Sequence, residues 1–349
     1  MDKKDKPVHI LVLRLSAMGD VAMTVPVLNT LILKYPDARV TVLTKKGFAP
    51  IFAKISGVDV HIANIKGEHK GFPGLWRLYK ELKKMDIDAI ADLHNVLRSN
   101  VLKKYFGLTR VPFKQINKGR KEKKTLTRLR NKEFKPLKTA HQRYADVFAD
   151  LGFPIDLSAW KPLERQPLPE KIVNLIGQDA KKWIGVAPFA AHHGKMYPLT
   201  LMKEVINELD NTDKYKILLF GGGENEANQL EELSSKFSST LNLAGKLSLE
   251  EELAIISNLD VMVSMDSGNA HLAANFGIPI ITLWGVTHPY AGFYPFNQPM
   301  DNALLSNREK YPGIPTSVYG NKVPEGYEKV METISPQSVN NKILEVLGE

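Results

Sequence analysis

The chain contains no cysteine, which excludes disulfides, thiolate metal sites and thiol nucleophiles and suits a reducing compartment. No apolar run approaches the ~20 residues needed to span a bilayer. The longest, residues 277–286, is interrupted by proline and glycine and reads as a buried strand with its turn. The charged opening Met1-Asp2-Lys3-Lys4-Asp5-Lys6-Pro7 leads directly into a strand pattern, so it is not read as a signal peptide. There is no short-period repeat, no low-complexity tract and no GxGxxG fingerprint. Acidic residues are scarce in one place. Residues 103–143 hold 15 Lys/Arg opposed only by Glu122 and Glu133, a local charge of +13. The whole chain carries +9, so the remainder is slightly acidic at −4.

What is present belongs to a globular protein. The 349 residues suffice for two ordinary domains, and 43% hydrophobic with 24% charged content is that of a folded, soluble chain. Strand patterns at residues 9–13, 38–43 and 89–93 alternate with helical ones at 21–34 and 75–84. The proline-rich stretch 153–169 (Pro154, Pro162, Pro167, Pro169) reads as an inter-domain linker. Beyond it, strands at 183–186, 216–220, 260–265 and 278–283 alternate with helices at 199–209, 224–236, 249–257 and 271–275. A final amphipathic helix covers 336–347. Such alternation with short turns implies parallel sheets, here in two doubly wound α/β domains.

Four junctions carry candidate chemistry. An apolar strand stops at Asp266-Ser267-Gly268 and a helix of small residues begins there, so unpaired N–H groups and the positive helix end favour an anion such as phosphate. Asp266 is expected to cap that helix, Ser267 to offer its hydroxyl, and His271 to share the face of Ser267 one turn on. Gly221-Gly222-Gly223 follows a strand and precedes a helix, where glycine lets backbone approach a ligand, and Glu224 or Glu226 beyond it can accept from ribose hydroxyls. Ser16-Ala17-Met18-Gly19-Asp20 follows the first strand, and Asp20 there suits general-base work or helix capping. Lys195 sits in a loop beside Gly194 and can neutralise a diphosphate; solvation is the ordinary role of a loop lysine. His192-His193 recommends no metal site, because adjacent side chains point apart and no carboxylate cluster accompanies them. The basic segment suits phosphate-rich partners such as nucleic acid, anionic lipid or anionic saccharide. Its few aromatics (Tyr105, Phe106, Phe113, Phe134) do not support base stacking.

In order along the chain, these blocks resemble the heptosyltransferases of lipopolysaccharide core synthesis, glycosyltransferase family 9. The blocks are Leu13-Arg14-Leu15-Ser16-Ala17-Met18-Gly19-Asp20-Val21 with Thr24-Val25-Pro26, and Asp92-Leu93-His94-Asn95-Val96-Leu97-Arg98-Ser99. The third is Gly194-Lys195-Met196-Tyr197-Pro198. The last runs from Asn242-Leu243-Ala244-Gly245-Lys246-Leu247 through Asp266-Ser267-Gly268 and His271 to Trp284-Gly285-Val286-Thr287-His288-Pro289. Departures are Ala190-Ala191 before the lysine, His288 where the family often has an acid, and Asn269 where it often has proline.

The resemblance implies a GT-B fold, two Rossmann-like doubly wound parallel-sheet domains facing a central cleft. An N-terminal acceptor-binding domain is expected over 1–160 and a nucleotide-sugar domain over 161–335, with a helix at 336–349 packing back toward the N-terminal domain. It implies an inverting, metal-independent transfer of heptose from ADP-heptose to the lipopolysaccharide inner core, with no cofactor. Asp20 and Lys195 would be the catalytic residues. Asp266, Ser267, Gly268, His271, Glu226, Leu247 and Gly222 would hold the nucleotide sugar. Ser16, Met18, Gly19, His94, Arg98 and Arg143 would face the acceptor. The expected partners are the donor, an anionic lipopolysaccharide-core acceptor and, peripherally, the inner face of the cytoplasmic membrane, with no nucleic acid. A GT-B transferase or epimerase using another nucleotide sugar is the alternative, and a nucleic-acid-binding protein is the non-enzymatic one.

Overall fold

The computed structural model describes residues 7–349; the charged opening of residues 1–6, from which the lack of a signal peptide was argued, lies outside the described residues. The chain forms two compact units, one made of the described residues up to Lys118 with Ala140–Leu163, the other of Gly119–Thr139 with Glu164–Glu349.

In the first unit the strands are β1 (His9–Leu13), β2 (Arg39–Thr44), β3 (Val58–Ile62), β4 (Ala89–Asp92) and β5 (Phe113–Gln115). All pair in parallel, in the order β3-β2-β1-β4-β5. Helices α1 (Met18–Ala22), α2 (Val25–Lys34), α3 (Gly71–Lys83) and α4 (Leu97–Phe106) connect them. Every residue of β1 is buried, as expected of a central parallel strand covered on both faces. α3 turns Leu75, Leu78, Tyr79 and Leu82 into the core beside Leu11, Leu13 and Ile90, an apolar stripe at helical spacing.

The segment Gly119–Thr139, which carries α5 (Arg120–Leu126), belongs to the second unit, and the chain returns to the first with α6 (Ala140–Ala149). The second unit continues with α7 (Glu170–Ile176), β6 (Lys182–Ala187), α8 (Leu199–Asp210), β7 (Tyr215–Leu219), α9 (Glu224–Ser234) and β8 (Thr240–Asn242). Then come α10 (Leu249–Ile256), β9 (Val261–Met265), α11 (Gly268–Asn275), β10 (Ile280–Trp284), β11 (Ala303–Leu305) and α12 (Pro336–Leu347). Its parallel sheet has the order β11-β10-β9-β6-β7-β8.

Three expectations need correction. The helix expected over 21–34 is two helices, because Pro26 has no N–H to return to Ala22 and α1 ends there. A single N-terminal domain over 1–160 does not describe the contacts. The basic segment is divided between the units, nine of its fifteen cations lying in Gly119–Thr139. The last helix packs within the second unit. α12 buries Val339 and Ile343 in the second unit's core with Val205 and Leu209 of α8, and Lys182 Nζ donates to the Leu347 carbonyl at 3.1 Å. The change of unit after Leu163 does fall inside the proline-rich stretch.

Strand order places the functional ends. In the first sheet, consecutive strands run outward in opposite directions from β1 and β4; in the second they do so from β6 and β9. At such a switch point the loops beyond the strands' carboxyl ends diverge and leave a crevice, the usual ligand position of open α/β sheets.

Candidate functional site

The first unit's switch point is flanked by the turn after β1 and the turn after β4. Arg14, just past β1, is 5% exposed and donates to the Leu93 carbonyl at 2.5 Å. Its other terminal nitrogen pairs with Asp20 Oδ2 at 2.5 Å. The Ala17 N–H, preceded by a cis Ser16–Ala17 peptide, approaches the same oxygen at 3.3 Å. Asp20 Oδ2 is thus held from two sides, while its side chain retains 32% exposure. Met18 and Gly19 form the first turn of α1 beside it.

Across the switch point, His94 is buried with Nε2 at 3.5 Å from Ser16 Oγ. Burial pushes its pKa down to about 3, aided by the Arg14 and Lys118 charges, so the ring is neutral at ordinary pH. Asp92 is structural, its Oδ1 accepting the His94 and Asn95 N–H groups and its Oδ2 accepting from Gln115. Arg98 is exposed in the first turn of α4. Arg143, expected to face the acceptor, is 5% exposed on α6 and donates to the Asn117 carbonyl at 3.2 Å.

At the second unit's switch point, Lys195 after β6 meets Asp266 after β9. Their Nζ–Oδ2 distance is 2.8 Å, with side-chain exposures of 14% and 6%. Asp266 was expected as a helix cap; Ser267 takes that position, without a side-chain cap bond, and Asp266 points at the lysine. A carboxylate this deeply buried needs a charged partner more than a backbone donor. Ser267 Oγ lies 3.0 Å from Ser264 Oγ, Gly268 opens α11, and His271 is buried one turn on.

The lysine loop is held by three glycines. A Cβ on Gly285 would overlap the Gly194 carbonyl, and one on Gly194 would stand 2.5 Å from Val286 Cγ2 and 2.7 Å from the Gly320 carbonyl. One on Gly320, whose φ is +82°, would overlap Lys195 Cγ. The Val286 N–H also donates to the Gly194 carbonyl at 2.9 Å, and Val286 in turn accepts from Thr316 at 2.9 Å. The stretch 316–320 is therefore part of the lysine's support, a role with no local sequence signal. Arg14 was also missed as a site residue, although a lone charge between Leu13 and Leu15 at a strand end marks it.

The remaining nucleotide-side residues are spread along the same sheet. Glu226, expected at a ribose, accepts the Gly222 N–H at 2.7 Å and so closes the glycine turn on itself. Gly222 is exposed, with open space where a Cβ would be. Leu247 is half-buried before the Ser248–Glu251 capping box of α10. His288 is buried and accepts from the Tyr290 N–H at 3.1 Å. Burial, then the charges of Arg308 and Lys132, push its pKa down to about 4.

The sequence profile of glycosyltransferase family 9 (heptosyltransferase) matches residues 75–318. A lipopolysaccharide core heptosyltransferase, OpsX of Haemophilus influenzae, is 26% identical over 324 residues, covering 90% of this chain and 89% of its own. Among solved structures, a glycosyl transferase family 9 protein from Veillonella parvula has a TM-score of 0.75 at 19% identity, covering 97% of both chains. The E. coli heptosyltransferase WaaC with ADP gives 0.67 at 20% identity, covering 97% of this chain and 100% of that one. The iron-containing dodecameric glycosyltransferase TibC of enterotoxigenic E. coli gives 0.57 at 13% identity, covering 100% of this chain and 80% of that one.

Proposed function

Because the chain belongs to glycosyltransferase family 9, the heptosyltransferases, we propose that it moves a heptose from ADP-heptose to the anionic inner core of lipopolysaccharide. The observation that carries the residue assignment is the pair of ion pairs at the two switch points, each presenting its opposite member. Asp20 is the more exposed partner in one unit, Lys195 in the other.

In this reading Asp20 is the general base. Its Oδ2 is engaged by Arg14 and the Ala17 N–H, so Oδ1 takes the proton of the acceptor hydroxyl. That oxygen attacks the anomeric carbon as the bond to the ADP oxygen breaks, inverting the centre. Negative charge grows on the leaving diphosphate and is met by the Lys195 ammonium and the N–H groups opening α11. Asp266 orients the ammonium. Ser267 and His271 complete the diphosphate side, and the Leu247 backbone and the Gly222–Glu226 turn receive the adenosine. Ser16, Met18, Gly19, His94 and Arg98 contact the acceptor. Buried Arg143 supports them from behind.

We place no metal in the step. Among the described residues no three His, Cys, Asp or Glu side chains are grouped to hold one, and lysine with helix dipole supplies the positive charge. Among the described residues no helix is long and apolar enough to cross a membrane, and the enzyme is proposed to reach a membrane-borne acceptor peripherally, from the cytoplasm.

Turnover with ADP-heptose and a panel of truncated lipid A–Kdo acceptors, with and without a chelator, tests the proposal. Transfer that survives chelation is expected. Chelator-sensitive turnover would overturn metal independence, and stabilisation by UDP or GDP but not ADP in a thermal-shift measurement would overturn the donor.

A further inference from the structure

The donor and acceptor assignments leave unused an open cavity of about 870 Å³, lined wholly by residues of the second unit. One wall is α5 and the turn after it; the other is the stretch 316–324. Five cations line it (Arg120, Lys123, Lys124, Arg128 and Lys322) and no carboxylate does. Lys123 is buried, with its ammonium 3.9 Å from the centre of the Phe293 ring. Arg120, Lys124, Arg128 and Lys322 are exposed, and among the described residues none of these four has a carboxylate partner. Like charges gathered in a concave wall raise the local potential and are costly to leave uncompensated. Three of the chain's exposed large apolar side chains stand among them: Leu129 at 61%, Tyr319 at 54% and Val323 at 37%.

The wall is also tied to the rest of the fold. Lys132 Nζ donates to the Gly313 carbonyl and, at 2.8 Å, to that of Pro315, and the Arg308 guanidinium lies 3.4 Å over the Phe134 ring. The Leu137 N–H donates to the Tyr290 carbonyl at 2.9 Å. The excursion of Gly119–Thr139 out of the first unit is thereby anchored on the second through residues 132–137. The facing stretch supports Lys195 through Gly320, but none of the cavity's lining residues is assigned to the nucleotide.

We propose that this cavity is an anion site taking a phosphate group carried on an amphiphilic ligand. The phosphate meets the cations, and the adjoining apolar part meets Leu129, Tyr319 and Val323. Phosphate of that kind comes either as a lipid headgroup or as a soluble phosphorylated molecule. The site does not depend on which sugar is transferred.

The test is binding by the full chain with ADP saturating, so that the nucleotide site is closed to other anions. The two probes are inorganic tripolyphosphate, by calorimetry, and phosphatidylcholine vesicles with or without phosphatidic acid, by flotation. Wild type is expected to bind at least one. The R120Q/K124Q/R128Q variant should lose ~10²-fold or more of that binding, at roughly tenfold or less per exposed cation, with ADP affinity unchanged. Loss confined to vesicles identifies a headgroup, and loss confined to tripolyphosphate identifies a soluble ligand. Wild type binding neither probe, or the triple variant binding as wild type does, overturns the proposal. Should the triple variant lose ADP affinity, K322Q on the facing wall decides instead: a several-fold loss supports the site, and unchanged binding rejects it. Failure of heptose transfer with anion binding intact would remove the functional assignment and leave this site standing.

Discussion

The two units solve the same topological problem with opposite electrostatics. Each sheet changes direction between two central strands, and at each reversal an acid and a base pair, Arg14 with Asp20 inside the turn after β1 and Lys195 after β6 with Asp266 after β9. In the first unit the cation is sunk (Arg14 at 6% side-chain exposure) and the acid is open (Asp20 at 32%). In the second the acid is sunk (Asp266 at 6%) and the cation is the more open partner (Lys195 at 14%). An ion pair with one buried member holds the other in a fixed orientation and leaves its outer face for a ligand. The same fold can thus offer a carboxylate or an ammonium, depending on which partner is placed behind.

The largest effects should come from removing the open members. Asp20→Asn is expected to lower kcat by ~10²–10⁴-fold, the usual worth of a general base, with ADP affinity nearly unchanged. Lys195→Ala should lower kcat by ~10²–10³-fold, as for loss of one charge-stabilising donor, and weaken ADP binding as well. Steady-state kinetics and ADP titration separate the two patterns; ADP affinity falling with Asp20→Asn but not with Lys195→Ala would reverse the assignment of the units.

Stability sharpens the comparison next. Lys195→Ala leaves a carboxylate uncompensated at 6% exposure, which costs about 3–5 kcal/mol where the charge persists. K195M/D266N should regain most of that stability in denaturant titration while remaining inactive. A double variant as unstable as the single one would show that Asp266 is held by something other than the lysine.

Gly320→Ala should act more gently. Its new Cβ must displace the Lys195 side chain and adopt a positive φ, a strain of ~1–3 kcal/mol. The expected result is a raised KM for the donor with a smaller change in kcat, and no effect on Asp20-side variants. An unaltered donor KM would mean that the 316–320 stretch does not position the lysine.

The smallest effect is a pH dependence of stability. His94 and His288 are held neutral, with pKa values lowered to about 3 and about 4 from the usual 6.5 of an imidazole. As pH falls below 6.5 the unfolded chain takes up these protons before the folded one does, so stability drops across that window and down through the folded values. It is fully present above it. His94→Gln and His288→Gln should each flatten the fall in Tm on acidification, and equal slopes in wild type and both variants would refute this.

Much of the architecture could be read from residues. The pattern at 9–13 is β1 to the residue, and Pro336–Leu347 is α12, because a continuous buried run and a long amphipathic stripe are strong periodic signals. The four strands not anticipated, β3, β5, β8 and β11, all lie at sheet edges. An edge strand is paired on one side only, and these are three to five residues long, so they lack the apolar run that marks a central strand. Among candidate site residues, Asp20, Lys195, Ser267, Gly268 and His94 do stand at switch points, because strand–turn–helix junctions are local. The role foreseen for Asp266 as a cap failed, because its partner is decided by a residue 71 positions away in the chain.

The amino-acid sequence by itself determined two parallel α/β sheets, the junctions where chemistry is concentrated, and the basic segment's charge. All three follow from short-range periodicity and composition. Tertiary structure alone decided which member of each ion pair faces outward, that 316–320 supports Lys195, and that Gly119–Thr139 leaves one unit to wall a cavity in the other. Those outcomes depend on contacts between residues far apart in the chain, and no local pattern encodes which distant surface a segment will bury against.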